Sequence, residues 1–242
     1  MSVEQLENRT PAVLRTVRSF VRREGRMTKA QRKALTESWS RYGIDCKNQI
    51  IDLDEIFQRS APRILEIGFG MGESLLESAI NNQQKNFIGV DVYKPGVGKL
   101  LCELESHNIQ NVRVINEDVV TVLEQMISGH SIDAVRIFFP DPWPKKRHHK
   151  RRLIQPEFIS LLGSKLVKGG IVHLATDWQD YAQHMIEVLS SCKQFENVSE
   201  DGDYIPRPED RPQTKFEHRG HRLGHGVWDI KYRYHGPVRV YG

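Results

Sequence analysis

The stretch RILEIGFGMG, residues 63–72, decides the fold, because a short β-rich run passes directly into a glycine-rich turn. A helical pattern opens at Glu73, immediately after the turn. Glycines in such a turn let the backbone approach a ligand closely and adopt dihedral angles that other residues avoid. The order of strand, glycine-rich turn and helix predicts the first unit of an open α/β sheet with a ligand site at the turn.

Outside this turn, β-rich runs alternate with helical segments. Further β-rich runs are NFIGVDV (86–92), NVRVIN (111–116), IDAVRIFF (132–139) and GIVHLAT (170–176). Crossover helices are expected over residues 73–83, 96–108, 119–128, 156–166 and 179–192. This alternation predicts a parallel sheet with helices on both faces. The last run, VWDIKYRY (227–234), alternates like an edge strand.

The length of 242 residues suits one α/β domain with extensions. We expect a basic N-terminal arm with short helices over residues 1–60, the main domain over 61–234 and a C-terminal tail over 235–242. A hydrophobic content of 38% with 27% charged residues is typical of a soluble protein, and no apolar run is long enough to span a membrane. The N-terminus lacks the features of a secretory signal, so we expect a cytoplasmic protein.

The sequence gives little support for disulfide or metal chemistry. Its three cysteines are widely spaced and odd in number, which favours ordinary buried thiols over a disulfide framework or a zinc site. Three histidines lie between residues 218 and 225, without an acidic or cysteine ligand set beside them. We therefore expect no metal, and we expect the glycines of that run to shape a substrate loop.

Positive charge is concentrated in two segments. Residues 1–33 carry nine Lys or Arg against three acids, and KKRHHKRR (145–152) adds six more with no acid. The whole chain has a net charge of only +4, so the remainder is acidic. Clustered Lys and Arg displace counterions from phosphates, which makes nucleic acid the leading partner, whereas a solvated surface run is the alternative.

The glycine spacing and the neighbouring acids indicate the kind of ligand. Gly68, Gly70 and Gly72 follow the pattern G-x-G-x-G, whereas a dinucleotide fingerprint would place its third glycine at Glu73. Glu66 and Glu73 flank the turn, where carboxylates would repel a pyrophosphate. S-adenosylmethionine fits better, because it has no phosphate and carries a sulfonium and an amino group. We therefore place the three glycines in a site for this cofactor.

Two further acids follow the next strands. Asp91 ends the second β-rich run, where a carboxylate can accept hydrogen bonds from both ribose hydroxyls. Asp118 follows the third run, where it could meet an adenine amino group. Each acid alone also suits a turn or a helix cap. The ordered set favours ligand binding, because ligands of open sheets bind at strand carboxyl ends.

The fourth strand ends in FFPDPWPK, residues 138–145. Pro140 and Pro142 restrict the backbone on both sides of Asp141 and hold one carboxylate at the open edge of the sheet. A proline turn with a solvated acid is the alternative, but the basic run follows at once and favours a functional acid. The loop also resembles the D-P-P-Y loops of amino-group methyltransferases.

Five stretches of the chain carry a more specific resemblance. They are RTVRSFVRREGRMT (15–28), EIGFGMG (66–72), FFPDPWPKKRHHKRR (138–152), ATDW (175–178) and TKFEHRGHRLGHGVWD (214–229). Together they resemble the bacterial tRNA (guanine-N7-)-methyltransferase family, over most of residues 13–234. The resemblance implies an α/β, Rossmann-like class I methyltransferase fold with a mostly parallel seven-stranded sheet. It also implies S-adenosylmethionine as cofactor, tRNA as partner and guanine 46 of the variable loop as target.

The resemblance assigns roles position by position. Glu66, Asp91, Asp118 and Asp141 match positions that bind S-adenosylmethionine, and Asp141 also matches the active-site acid. Substrate-binding positions are matched by Lys145, Asp177, Thr214, Lys215, Phe216 and Glu217. An RNA-interacting segment is matched by Arg147, His148, His149, Lys150, Arg151 and Arg152. The family often has Glu where this chain has Asp91, and both side chains can bind a diol.

The chemistry of N7 methylation agrees with these residues. Guanine N7 has a free lone pair, so in-line attack on the sulfonium methyl requires no proton removal and no catalytic cysteine. The product is cationic, so a nearby carboxylate can stabilise the developing charge and accept bonds from the base. Asp141 is the candidate, with Asp177 and Glu217 as helpers. Much of the rate should come from alignment of N7, methyl carbon and sulfur.

Two functions of other classes stay open at the level of the sequence. One is a non-catalytic RNA-binding protein with a methyltransferase-like fold, which the intact glycine turn and Asp141 disfavour. The other is a small-molecule methyltransferase, which the two basic segments disfavour. Asp177 suits the N-cap of a helix as well as it suits a substrate contact. Monomer and homodimer are both compatible with the sequence.

Overall fold

A computed structural model describes residues 25–212, residue 217 and residues 226–237, and contains a seven-stranded sheet. The strands are β1 (Arg63–Ile67), β2 (Asn86–Val90), β3 (Val112–Ile115), β4 (Ile132–Phe138), β5 (Leu166–Thr176), β6 (Phe195–Asn197) and β7 (Trp228–Tyr234). Their order is β3-β2-β1-β4-β5-β7-β6. The first five strands pair in parallel, and β7 runs antiparallel to both of its neighbours. The predicted mostly parallel seven-stranded sheet is confirmed.

Helices connect the strands where the sequence predicts crossovers. The helices are α1 (Lys29–Glu37), α2 (Trp39–Tyr42), α3 (Leu53–Phe57), α4 (Glu73–Asn81), α5 (Lys94–Ser106), α6 (Val119–Gln125), α7 (Pro156–Lys165) and α8 (Gln179–Ser191). A 3-10 helix spans Lys146–Arg151. Helices α4 to α8 each overlap a predicted segment. Helix α5 begins two residues earlier than predicted, because Pro95 fits the first helical turn.

Both faces of the sheet carry a buried apolar core. Side chains alternate between faces along β1, so Leu65 and Ile67 pack with α3, α6, α7 and α8, whereas Ile64 packs with α1, α4 and α5. Strands buried on both faces explain the nearly continuous apolar runs seen in the sequence. The predicted layers of helices on both faces are confirmed.

The described part of the N-terminal extension packs onto the main domain. Thr28 and Gln31 form a capping box at the start of α1. Helix α1 lies so close to α5 that a Cβ on Gly98 would be only 2.8 Å from the Gln31 carbonyl oxygen. The Tyr42 hydroxyl donates to the Leu104 carbonyl at 3.1 Å. Gly25, the first described residue, lies beside Tyr93 and Pro95 at the start of α5. The predicted arm residues before Gly25 lie outside the described residues.

Two expectations from the sequence are wrong. Strand β7 is not an edge strand, because β6 pairs with its outer side and forms the edge instead. Strand β6 has only three residues, too few to produce an alternating pattern. The cysteines are not buried: Cys46 is exposed, and Cys102 and Cys192 are half-buried.

The described part of the chain has neither a membrane-spanning helix nor a metal-binding cluster. Every helix there is too short or too polar to cross a membrane. The same residues contain no group of three His, Cys, Asp or Glu side chains that could hold a metal ion.

Candidate active site

A cavity of about 610 Å³ opens at the carboxyl ends of β1, β2 and β4. Its lining residues are Gly25, Ile67, Gly68, Gly70, Met71, Val90, Asp91, Val92, Tyr93, Glu117, Val119, Ile137, Phe138, Phe139, Pro140, Asp141 and Leu153. The volume is within the range of about 300–1,000 Å³ that is typical of ligand sites. The strand order reverses between β1 and β4, and ligands of open α/β sheets bind at such switch points.

The glycine turn has the backbone conformation that its sequence requires. Gly68, Gly70 and Gly72 have φ values of 73°, 59° and 81°, a region that side chains other than glycine rarely adopt. A Cβ on Gly68 or Gly70 would have no heavy atom within 4 Å, and both glycines line the cavity. Gly72 instead caps α4 and packs against Leu100, where a Cβ would approach to 2.8 Å. Two of the three predicted glycines therefore face the cavity.

Asp91 joins the glycine turn to the start of α5. Its Oδ2 accepts from the Gly70 N–H at 2.7 Å and its Oδ1 from the Tyr93 N–H at 2.8 Å. Burial raises the pKa of Asp91, and the backbone N–H groups of Tyr93, Gly70 and Val92 oppose that rise. Each carboxylate oxygen keeps a further lone pair for a hydroxyl donor. Asp91 lines the cavity, as the sequence predicts.

Glu66 lies deeper than the other predicted acids. It is 2% exposed and precedes Ile67, which lines the cavity, whereas Glu66 itself is outside the lining. Burial raises its pKa from 4.5 to about 7, although the charge of Arg136 opposes the rise. Its Oε2 is buried without a hydrogen-bond partner in the described chain. A buried oxygen without a donor is costly, so a cationic or N–H group is the fitting partner.

The two neighbouring acids in the turn after β3, Glu117 and Asp118, have different environments. Asp118 is the N-cap of α6, and its Oδ1 accepts from the Val120 N–H at 2.8 Å. Asp118 is not among the residues that line the cavity, whereas Glu117 is. Asp118 therefore caps a helix, which is one of the two interpretations that the sequence left open. The sequence motif Asn116-Glu117-Asp118 contains both acids, and only the structure separates them.

Asp141 is exposed at the mouth of the cavity, on the loop that follows β4. Phe139 and Trp143 flank this loop with φ values of 52° and 46°, which are unusual for residues with bulky side chains. The Phe139 N–H donates to the Ala175 carbonyl at 2.8 Å, which extends the β4–β5 pairing to the edge of the loop. No described residue forms a hydrogen bond or ion pair with the Asp141 carboxylate, so its oxygens remain open to a ligand.

The basic run forms a 3-10 helix next to this loop. Lys145, Arg147 and Lys150 are exposed. Arg151 lies over the Trp143 ring, with 4.1 Å between the guanidinium carbon and the ring centroid. Histidines 148 and 149 are half-buried. Desolvation and the neighbouring cations lower the pKa of His148, so this side chain is neutral at pH 7.

Arg152 differs from the rest of the predicted RNA-interacting segment. It is 3% exposed, and its guanidinium is engaged by Pro142, His149 and Asp180. A buried guanidinium that already has an acid as its ion-pair partner is not placed to meet a phosphate. The physical reason is that the last residue of the run turns inward, towards α8.

The predicted substrate positions have three different environments. Asp177 is half-buried, and the N-cap of α8 is Trp178, so the N-cap interpretation of Asp177 is wrong. The predicted residues 214–216 lie outside the described residues. Glu217 is 2% exposed and accepts from both Nη atoms of Arg211, at 2.7 Å and 3.0 Å. This acid therefore has a buried ion pair in the structure.

The sequence interpretation missed several residues of the site. Gly25, Met71, Tyr93 and Glu117 line the cavity. Glu117 had a signal in the sequence as an acid in the turn after β3, and Gly25 and Met71 lie within stretches that carry the family resemblance, but no role was assigned to any of them. Arg211 was also missed; it is fully buried and its Nη2 donates to Asp229 at 2.9 Å. A charged residue in a proline-rich loop gives no indication that it is buried.

The fold and the site define a methyltransferase of the Rossmann-like class. A family model described as putative methyltransferase matches residues 60–230. The structure of the 16S rRNA methyltransferase KamB superposes with a TM-score of 0.54 at 13% identity, over 88% of this chain and 96% of that one. A 16S rRNA (adenine(1408)-N(1))-methyltransferase from Catenulisporales acidiphilia, solved with its cosubstrate SAM, gives 0.56 at 15% identity, over 78% and 94%. These two structures support the fold.

Sequence relatives identify the family within this class. A tRNA (guanine-N(7)-)-methyltransferase of Aliivibrio fischeri is 53% identical over 221 residues, which cover 91% of this chain and 93% of the relative. Its counterpart in Vibrio parahaemolyticus is 54% identical over 227 residues, covering 93% and 95%. This chain belongs to the tRNA (guanine-N(7)-)-methyltransferase family.

Proposed function

We propose that this protein transfers the methyl group of S-adenosylmethionine to N7 of a guanosine in tRNA, in the cytoplasm, with guanine 46 of the variable loop as the target that the family resemblance implies. The observation that carries the proposal is one cavity lined by both the glycine turn and Asp141. A cofactor held against the turn would have its reactive end next to the Asp141 carboxylate. No described residue forms a hydrogen bond or ion pair with this carboxylate.

The lining and its surroundings fit S-adenosylmethionine. The open space at Gly68 and Gly70 allows a ligand to touch the backbone, and the free lone pairs of Asp91 suit ribose hydroxyls. The unpaired oxygen of buried Glu66 suits an ammonium donor. Val92, Glu117 and Val119 offer apolar surface and one acceptor, a suitable wall for adenine. When bound, this cofactor supplies an electrophilic methyl group on a sulfonium.

Asp141 performs the electrostatic part of the reaction in this proposal. The N7 lone pair forms the new bond to the methyl carbon, the carbon–sulfur bond breaks, and its electron pair remains on sulfur. The base acquires a positive charge, which the Asp141 carboxylate stabilises. The same carboxylate accepts from the N1–H and amino group of guanine and so orients N7. No residue is required to remove a proton.

The exposed cations of the 3-10 helix bind the tRNA backbone in this proposal. Lys145, Arg147 and Lys150 are exposed close to the Asp141 loop, so a phosphate chain bound to them passes the mouth of the cavity. Asp177, half-buried at the carboxyl end of β5, serves as a second acceptor for the substrate base. The described part of the N-terminal extension adds the exposed side chains of Arg26 and Lys29.

The test is transfer of a tritiated methyl group to bulk tRNA and to a panel of small acceptors. We expect label in tRNA and none in the small molecules. Label in small acceptors alone would support a small-molecule methyltransferase, and tRNA binding without transfer would support a non-catalytic RNA-binding protein. Calorimetry provides a control on the cofactor, because we expect binding of S-adenosylmethionine and not of NAD.

A further inference from the structure

Arg152 is the one residue of the basic run KKRHHKRR that the structure buries. It is 3% exposed, whereas Arg147 and Lys150 of the same run are exposed. A long cationic side chain is rarely buried unless several partners replace its water. The contacts of Arg152 therefore indicate its role.

The guanidinium of Arg152 has a partner on each side. Its Nε donates to the Pro142 carbonyl at 3.0 Å, and an Nη lies 3.1 Å from His149 Nε2. The same Nη forms an ion pair with Asp180, at the start of α8. The guanidinium carbon also lies over the Tyr181 ring, 4.8 Å from the ring centroid, in a cation–π contact. A fork of donors that reaches Pro142 and Asp180 at once is a geometry that arginine provides and lysine does not.

These contacts hold the segment next to Asp141. The Pro142 peptide directly follows Asp141, so the bond from Arg152 fixes the backbone one residue away from the carboxylate. On the other side, the buried hydroxyl of Tyr181 accepts from the Ile154 N–H at 3.3 Å. Arg152 therefore joins the Asp141 loop to α8.

The Asp141 loop needs such a connection. Phe139 and Trp143 have left-handed φ values of 52° and 46° on its two sides. Bulky residues keep this conformation only where the surrounding structure holds them in it. Asp141 itself is exposed, and no described residue forms a hydrogen bond or ion pair with its carboxylate that could fix its position.

We propose that Arg152 is a positioning residue for Asp141, held in place by Asp180 and Tyr181, and not a contact to tRNA phosphates. The inference rests on the proposed function, because it gives Arg152 a role in the reaction that Asp141 supports. The ion pair between Arg152 and Asp180 contributes to this positioning. Arg152 lowers the pKa of Asp180, so this carboxylate is ionised and paired at neutral pH.

The test compares Arg152→Met, which removes the donors but keeps an unbranched side chain, with Arg152→Lys, which keeps the charge. Single-turnover methylation at saturating tRNA and cofactor should fall on the order of a hundredfold in Arg152→Met, because the loop loses its alignment. Arg152→Lys should fall similarly, since one ammonium cannot reach both Pro142 and Asp180. A phosphate contact predicts the opposite, namely rescue by lysine.

The dependence of tRNA affinity on salt separates the two roles directly. Lys150→Met removes an exposed charge from the same run and should reduce the slope of log affinity against log salt by about 0.7 to 0.9. Arg152→Met should leave that slope at the parent value. An equal reduction in both variants would overturn the proposal and make Arg152 an RNA contact.

A double-mutant cycle with Asp141→Asn tests whether Arg152 acts through Asp141. We expect Arg152→Met to cost little further rate once Asp141 is already changed, since residues that act as a unit are not additive. Independent, additive losses would overturn the proposal. If Arg152→Met does not fold, Asp180→Ala replaces it in the cycle, because the Asp180 side chain is 63% exposed.

The parent enzyme distinguishes failure of this inference from failure of the proposed function. A parent that makes no N7-methylguanosine overturns both. A parent that makes it, with Arg152→Met and Asp180→Ala within a few-fold of its rate, overturns only the role of Arg152. A rate loss in both variants, without rescue by lysine and without a change in salt slope, supports the proposal.

Discussion

At the scale of single residues, the site combines one exposed acid with two buried ones. Asp141 is exposed at the mouth of the cavity, whereas Glu66 and Asp91 are buried behind the glycine turn. Burial raises the pKa of both Glu66 and Asp91. A buried acid favours a cationic ligand over water, and an exposed acid can meet a large substrate such as RNA.

The first prediction concerns Asp141→Asn. This substitution keeps the shape of the side chain but removes its charge, and it presents an amide donor where the guanine edge also donates. We expect turnover to fall about 100- to 1,000-fold, while the fold and the tRNA affinity survive. Single-turnover assays at saturating tRNA and cofactor separate chemistry from binding.

The control for this prediction is Asp133→Asn at the opposite end of β4. Asp133 Oδ2 accepts from the Arg63 N–H at 2.7 Å, and asparagine can keep that acceptor. We expect a rate near that of the parent. A rate of Asp141→Asn within a few-fold of the parent would reduce Asp141 to a residue that shapes the loop.

The second prediction concerns the pH dependence of cofactor binding. Glu66 has a pKa of about 7 in the folded protein, so its carboxylate protonates as the pH falls through 7. In the proposed site the ionised form pairs with the ammonium of S-adenosylmethionine, so affinity should weaken about tenfold from pH 8 to pH 6. Calorimetry on Glu66→Gln isolates this effect, since the variant should bind more weakly and lack this part of the pH dependence. Identical pH profiles in parent and variant would exclude the role of Glu66.

Individual residues show where sequence reasoning reaches its limit. Gly68, Gly70, Asp91 and Asp141 were predictable, because their place after a strand fixes them at the carboxyl edge of the sheet. Arg152 was not, because its burial depends on Asp180 and Tyr181, which are distant in sequence.

At the scale of elements, hydrophobic patterns predicted strands and helices well where they are long and buried. All five crossover helices, α4 to α8, were predicted. Strand β6 has only three residues, too few to show an alternating pattern, so the sequence did not reveal it. For this reason β7 was wrongly predicted to be the edge strand. The 3-10 helix was also missed, because its charged residues have no apolar face to reveal it.

The third prediction concerns the 3-10 helix Lys146–Arg151 as a phosphate-binding element. Arg147→Ala combined with Lys150→Ala should reduce the slope of log tRNA affinity against log salt by about 0.7 to 0.9 for each phosphate that the variant no longer binds. Cofactor affinity should not change. The matched control removes Lys168 and Lys193, which are exposed near the opposite end of the sheet. Equal slopes in the two double variants would make the helix an ordinary solvated surface.

The fourth prediction concerns the buried ion pair that ties residue 217 to the proline-rich loop. Arg211 pairs with Glu217 and with Asp229 of β7. Glu217→Gln should lower the free energy of unfolding by about 2 kcal/mol, because the substitution removes a charged hydrogen-bond partner from a buried site. Urea denaturation measures this, with exposed Glu209→Gln as the control. Equal stabilities of the parent and Glu217→Gln would contradict a stabilising role for this ion pair.

At the scale of the whole molecule, the described start of the N-terminal extension and the loop that precedes KKRHHKRR line one cavity. Gly25, which follows the basic arm in sequence, and Asp141, which precedes KKRHHKRR, line the same cavity. The sequence predicted the two segments and the cavity separately, and the packing of α1 on α5 brings Gly25 to its mouth. A polyanion attracted to this face approaches the cofactor site and Asp141 together.

The most direct test of the account is the identity of the methylated base. Unmodified tRNA is incubated with the purified protein and S-adenosylmethionine, digested to nucleosides and analysed by mass spectrometry against nucleoside standards. We predict N7-methylguanosine as the product, absent without the protein and reduced about 100- to 1,000-fold in rate with Asp141→Asn. A different methylated nucleoside, or none, would contradict the assignment of this site to guanine N7.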